Sequence, residues 1–99
     1  MGGLTIIYWR DIPSQVIAKS GRKSAKRELS ERFIRAIDAA AMKSGASSTD
    51  AYLEDWRRHD AGPCGDDLEV EAVAAAERLE SAYDNQRLAE LSKQEGREA

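Results

Sequence analysis

The chain has 99 residues, 41% of them apolar, with 15 Lys and Arg against 18 Asp and Glu for a formal net charge of -3. Sixteen of the apolar residues are alanine, so 21 Val, Ile, Leu, Met, Phe and Trp remain to build the core of one small domain. This excludes a polybasic nucleic-acid binder and an acidic disordered chain; one cysteine excludes an internal disulfide, and no apolar run nears the ~18 residues of a membrane span. Met1 to Arg10 has no basic region ahead of its apolar stretch, so no signal peptide is expected, and a reduced, cytoplasmic, soluble protein is the expectation.

Leu4 to Trp9 is short, β-branched and aromatic, and its near-continuous apolar character predicts a central strand with both faces partly covered. Asp11-Ile12-Pro13-Ser14 reads as a turn, and Gln15 to Lys19 as a second, antiparallel strand. After the Ser20-Gly21 turn, Arg22 to Leu29 is either a third strand or an irregular basic segment. Phe33, Ile34, Ile37, Ala40 and Ala41 recur at helical spacing, which predicts a helix over 31–44, with Ser30 as N-cap, Glu31 at the positive end of the dipole and Gly45 as the stop. A small-residue loop over 44–48 leads to a second helix over 50–58, carrying Tyr52, Leu53 and Trp56 on one face and ending in Arg57-Arg58.

His59 to Gly65 holds two glycines and a proline and reads as a loop. Asp66 and Glu69 then form an acidic capping box for a last helix over 67–91. Its stripe of Leu68, Ala72, Ala75, Ala76, Leu79 and Tyr83 is mostly alanine, so it buries little, and the end beyond Gln86 is expected to fray or await a partner. The resulting expectation is an α+β domain over 1–92, an antiparallel sheet of two or three strands from residues 4–29 packed on one side by three helices, with a disordered tail over 93–99. Trp9, Phe33, Tyr52 and Trp56 are expected in the core.

Charge is uneven along the chain: residues 1–60 hold 11 basic and 8 acidic side chains, and residues 61–99 hold 4 and 10. Lys19, Arg22, Lys23, Lys26, Arg27, Arg32 and Arg35 crowd one stretch that contains only Glu28 and Glu31 as acids. This is a candidate partner surface. It suits an acidic patch on another protein, or nucleic acid as the alternative, although base stacking needs aromatics that the segment lacks.

Cys64 precedes a helix start, where the dipole favours a reactive thiolate, and with His59, Asp66 and Asp67 it makes a candidate redox or ligand site. The adjacent aspartates oppose thiolate formation, and a packed structural thiol is the simpler alternative. Asp66, Asp67, Glu69 and Glu71 lack the alternating carboxylates and glycine of a calcium loop, so no metal, cofactor or catalytic residue is assigned.

Several segments taken together carry a resemblance: Leu4 to Pro13 with its Tyr8-Trp9-Arg10-Asp11 run, Gln15-Val16-Ile17, Gly21-Arg22-Lys23, Arg32-Phe33, Ala36-Ile37-Asp38, Ala40-Ala41-Met42, Tyr52-Leu53, Trp56-Arg57-Arg58 and Cys64 to Leu68. In these the chain resembles the small virulence factor family of alphaproteobacterial proteins. That resemblance implies no known reaction. It implies a setting beside folate-linked and corrinoid-dependent methyl-transfer proteins of methionine and one-carbon metabolism. The expected function is therefore a non-catalytic accessory or interaction protein, whose partner would be a corrinoid methyltransferase component or its reactivator, with self-association through the C-terminal helix as a further expectation.

Overall fold

In the computed structural model, which describes residues 2–45 and 50–97, the chain begins with three antiparallel strands in succession. These are β1 (Gly2–Trp9), β2 (Ile12–Ser20) and β3 (Lys23–Glu28). The segment left open between strand and irregular chain is thus a strand, with Ala25 opposite Ala18. The first turn is tighter than predicted: Trp9 pairs with Ile12, so Arg10 and Asp11 alone make it, and Pro13 lies within β2 where the register shifts between Ile7 and Tyr8. A bulge tolerates proline in a ladder because one position there goes unpaired.

Arg10 adopts φ 54 at this turn, a left-handed conformation costly for a side chain with a Cβ. Its guanidinium is held on three sides: it lies 4.6 Å over the Trp9 ring, donates to Asp55 Oδ2 at 2.9 Å and donates to the Glu95 carbonyl at 2.7 Å.

Two helices follow the sheet, α1 (Glu31–Ser44) and the short α2 (Asp50–Glu54); of the loop expected over 44–48, residues 46–48 lie outside the described residues. The helix expected over 50–58 ends early, because Trp56–Cys64 is β4. The sheet therefore has four strands in the order β3-β2-β1-β4, all pairings antiparallel, in place of the two or three expected. Without β4 the outer edge of β1 would leave its N–H and C=O groups unpaired, and this long-range demand outweighs the local signals that read Arg57-Arg58 as a helix end and 59–65 as a loop. Gly62, at φ 100, and a register shift between Leu4 and Thr5 absorb the glycine and proline that suggested a loop.

The long helix expected over 67–91 is two helices, α3 (Leu68–Ala82) and α4 (Asn85–Lys93), so four helices stand where three were predicted. The chain breaks at Tyr83, which turns inward against Phe33 at 6.0 Å, and Asp84 caps α4 by accepting from the Arg87 amide at 2.8 Å. Asp67, not Asp66, caps α3 through the Val70 amide. The alanine stripe is filled: Leu68, Ala72, Ala75 and Ala76 are buried, and their small side chains let α3 approach β2 and β3 closely.

The end expected to fray lies along α1 instead, with Leu88 and Leu91 buried and the Ser92 hydroxyl donating to the Ala36 carbonyl at 3.2 Å. The segment expected as a disordered tail is tied down as far as it is described. The Asp11 amide donates to the Gly96 carbonyl at 2.7 Å, and Gly96, at φ 86, packs so close that a Cβ there would lie 2.9 Å from Trp9 Cζ3. Residues 98–99 lie outside the described residues.

The core lies between one face of the sheet and the helices. Leu4, Val16, Ala18 and Ala25 meet Phe33, Ile37, Ala40, Ala72 and Ala76 there, while Trp9 and Ile12 close one end. Trp9 and Phe33 are fully buried as predicted; Tyr52 and Trp56 pack against this core only in part. No helix among the described residues is long and apolar enough to cross a membrane.

Candidate functional site

The seven cations of the predicted basic surface do not share one face. Along β2 and β3 the residues alternate, so Arg27 points to the helix side, where it reaches Glu69 of α3 at 3.9 Å, while Lys19 and Lys26 lie on the opposite face. Arg22 sits in the β2–β3 turn and Lys23 begins β3. Arg35 pairs with Glu31 on the outer side of α1 at 3.2 Å.

Arg32 has a structural task. It donates to the Glu80 carbonyl at 2.6 Å, to Glu80 Oε1 at 3.0 Å and to the Tyr83 carbonyl, capping the end of α3. Ser30 takes part in the same junction. It occupies the N-cap of α1, but its hydroxyl makes no capping bond; it donates to Glu80 Oε1 at 2.8 Å, and its amide donates to Glu80 Oε2 at 2.6 Å. Glu80 thus binds the N-cap residue itself, through its amide and hydroxyl, while the Phe33 amide donates to the Ser30 carbonyl at 3.0 Å. Burial raises the Glu80 carboxyl, but the Ser30 amide and hydroxyl and the Arg32 guanidinium outweigh it and hold the group below its ordinary value of 4.5.

The candidate thiol site does not assemble. Cys64 ends β4 opposite Gly2, half-buried against the core, and a Cβ on Gly2 would lie 2.9 Å from its Sγ. His59 is five residues back along the same strand, about 16 Å away at the rise of an extended chain. It is exposed, edge-on to Tyr8 at 5.9 Å. Asp67 is occupied as a helix cap, and Asp66 stands exposed before it. No group of three or more His, Cys, Asp and Glu among the described residues is placed to hold a metal ion.

The surface that does assemble is the sheet face the helices leave uncovered. The registers set it out in rows: Glu28, Gln15, Ile7 and Arg58 across β3, β2, β1 and β4, and next to them Lys26, Ile17, Thr5 and Asp60. On its inner strands Ile7 and Ile17 stand beside the uncharged Gln15 and Thr5, and its charges stand on the two edge strands and, at Lys19, on β2. At one end Ile34 of α1, 42% exposed, and Trp56 rise beside Ile7 and Gln15 to form a groove of about 670 Å³.

The side chains of Arg58 and Lys19 make no ion pair or hydrogen bond among the described residues, whereas Glu28 faces Lys26 at 3.9 Å and Asp60 accepts from the Gly62 amide at 2.9 Å. Of these residues only Lys19 and Lys26 belong to the predicted basic surface. Ile7, Ile17, Ile34, Trp56 and Arg58 were missed, and the available signal was that Ile7 and Ile17 alternate with Ile6 and Val16, which makes both faces of the hairpin apolar. Trp56, at the rim, is the only aromatic side chain on the groove, so successive bases would find no stacking platform.

Most of the residues that carry the family resemblance serve the fold. Trp9 donates its indole N–H to the Tyr52 carbonyl at 2.8 Å, Arg10 holds the turn, and Arg57 lies 4.5 Å over Tyr8 while donating to the Arg10 carbonyl at 3.1 Å. A family model described as Virulence factor matches residues 7–91. No curated protein and no solved structure matches the chain. The chain belongs to the virulence factor family.

Proposed function

We propose that this member of the virulence factor family is a non-catalytic accessory protein that docks on a partner protein through the uncovered face of its sheet. One observation carries the reading: all four helices leave that face open, with Ile7 and Ile17 at its centre and the side chains of Lys19 and Arg58 without partners among the described residues. An apolar centre ringed by polar and charged groups is the anatomy of a protein interface. The dispersal of Cys64, His59 and the carboxylates supports binding over chemistry.

The resemblance to virulence factor proteins extends the proposal to a partner class, a corrinoid methyltransferase component or its reactivator. A photo-crosslinker placed at Ile17 should capture a defined partner that the same crosslinker at Ala39, on the exposed side of α1, does not. Equal capture from both positions would refute the docking face. Titration of the purified chain into a purified corrinoid methyltransferase component and into its reactivator checks the partner class: saturable binding to either supports it, and no heat of binding to both removes it.

A further inference from the structure

A partner can approach this sheet along an edge or on its open face, and both edges are blunted. β3 is six residues long and rich in Lys and Arg, and β4 presents Arg57, Arg58, His59 and Asp60 with Pro63 and a bulge near its end. Charged, bulged and proline-bearing edges resist the addition of another strand. The face offers the reverse: a groove floored by Ile7 and Gln15 and walled by Ile34 and Trp56, whose volume of about 670 Å³ admits a large apolar side chain with the chain on either side of it.

The charges at this groove say what should surround that side chain. Three cations and one carboxylate line it: Arg58, whose side chain has no partner among the described residues, Arg57, which pairs with Asp11 at 3.5 Å, and Lys26 on the other edge beside Glu28; Lys19 lies further along the face, its side chain also without a partner among the described residues. Of the two carboxylates on the face, Asp60 accepts from the Gly62 amide and Glu28, which also lines the groove, faces Lys26 at 3.9 Å in an exposed pair that an incoming carboxylate can exchange with. A cationic patch on a chain of net charge -3 selects anions over the like-charged background.

We propose that the groove receives a short acidic peptide segment of the partner, with one large apolar side chain seated between Ile34 and Trp56 and its flanking carboxylates on Arg58 and Lys26. This rests on the docking-face reading and gives it a ligand chemistry. A peptide fits better than a nucleic acid because Ile7, Ile34 and Trp56 give the groove an apolar seat with one aromatic ring among the described residues, while a nucleic acid needs several stacking rings or a continuous cationic track.

The test uses the full chain and a fluorescein-labelled peptide of aspartate and glutamate with one central phenylalanine. Fluorescence anisotropy should show saturable binding, and the charge-reversed lysine peptide and the variant with serine for phenylalanine should bind at least about tenfold more weakly. Arg58→Glu should lose at least about tenfold in affinity and Ile34→Ser several-fold, both with unchanged circular dichroism. Arg35→Glu and Leu53→Ser, exposed changes away from the groove, should bind as the parent chain does. Equal affinity for the acidic and basic peptides, or Arg58→Glu binding undiminished, overturns the proposal. So does tighter binding of a single-stranded oligouridine. If crosslinking from Ile17 still captures a partner while the acidic peptide fails to bind, the docking face stands and the acidic ligand falls; if both fail, both fall.

Discussion

The two faces of the sheet are built from the same strands and from residues that alternate one by one, yet they have opposite fates. On one face Leu4, Val16, Ala18 and Ala25 disappear under α1 and α3; on the other, Ile7 and Ile17 stand among Lys19, Lys26 and Arg58 with no helix of the described residues laid over them. The covered face is finished: its alanines match α3, and its junctions are closed by Glu80, Ser30 and Arg32. The chain's limited apolar supply closes one layer and leaves the second face to a partner.

If that contrast holds, substitutions on the covered side should cost stability and those on the open side should cost binding. The largest effect is expected at Trp9, fully buried, bonded to the Tyr52 carbonyl and packed on Gly96. Trp9→Ala should lower unfolding free energy by about 3–5 kcal/mol in urea titration, enough to unfold a domain of marginal stability.

Ala72→Leu should cost about 1–3 kcal/mol, because Ala72 is 1% exposed against the sheet and has no space to grow into. An unfilled alanine stripe would give the opposite sign, so a stabilised Ala72→Leu would show that α3 awaits a partner.

Glu80→Gln should cost about 1 kcal/mol at neutral pH by weakening the charged bonds to Ser30 and Arg32. The sign of its pH dependence follows from the lowered Glu80 value. A carboxyl whose folded value lies below its ordinary 4.5 stabilises the fold above that value and loses the contribution as pH falls through the folded one. Urea midpoints of the parent and Glu80→Gln chains should therefore differ at neutral pH and converge as the pH falls below 4.5 and Glu80 takes up its proton in the folded chain. A gap that stays constant across this range would place the junction's strength elsewhere.

The smallest stability effects belong to the open face. Lys19→Ala and Arg58→Ala should change unfolding free energy by no more than about 0.5 kcal/mol while weakening partner capture. A larger loss of stability would mean that these cations serve the fold.

Much of the molecule is legible from local pattern. Alternation marks β1 and β2, helical spacing marks α1, and Gly45, in the left-handed conformation at φ 77, ends that helix as predicted. The break at Tyr83 was also legible, since Asp84-Asn85 is a helix-start signal inside an otherwise helical run. β4 was not. Its residues alternate in nothing that a strand requires, and Arg57, His59 and Gly62 each have a more familiar local use. Only the unpaired edge of β1, distant in sequence, makes them a strand. The candidate site was half legible for the same cause: a count of cations along 19–35 cannot tell which side of a sheet each one faces, nor that Arg32 is taken up by the end of α3.

Local periodicity and motifs along the chain suffice for the class of the protein, the order of its first elements, its family and the burial of Trp9 and Phe33; they read Ile12 and Pro13 as a turn and Leu91 as part of a fraying end, although all three are fully buried. Which face remains open, that Arg58 joins Lys26 and Lys19 there, and that Cys64 and His59 stay apart come from the pairing of strands in three dimensions. Those facts depend on strand register, and register is set by pairing between segments as far apart as β1 and β4.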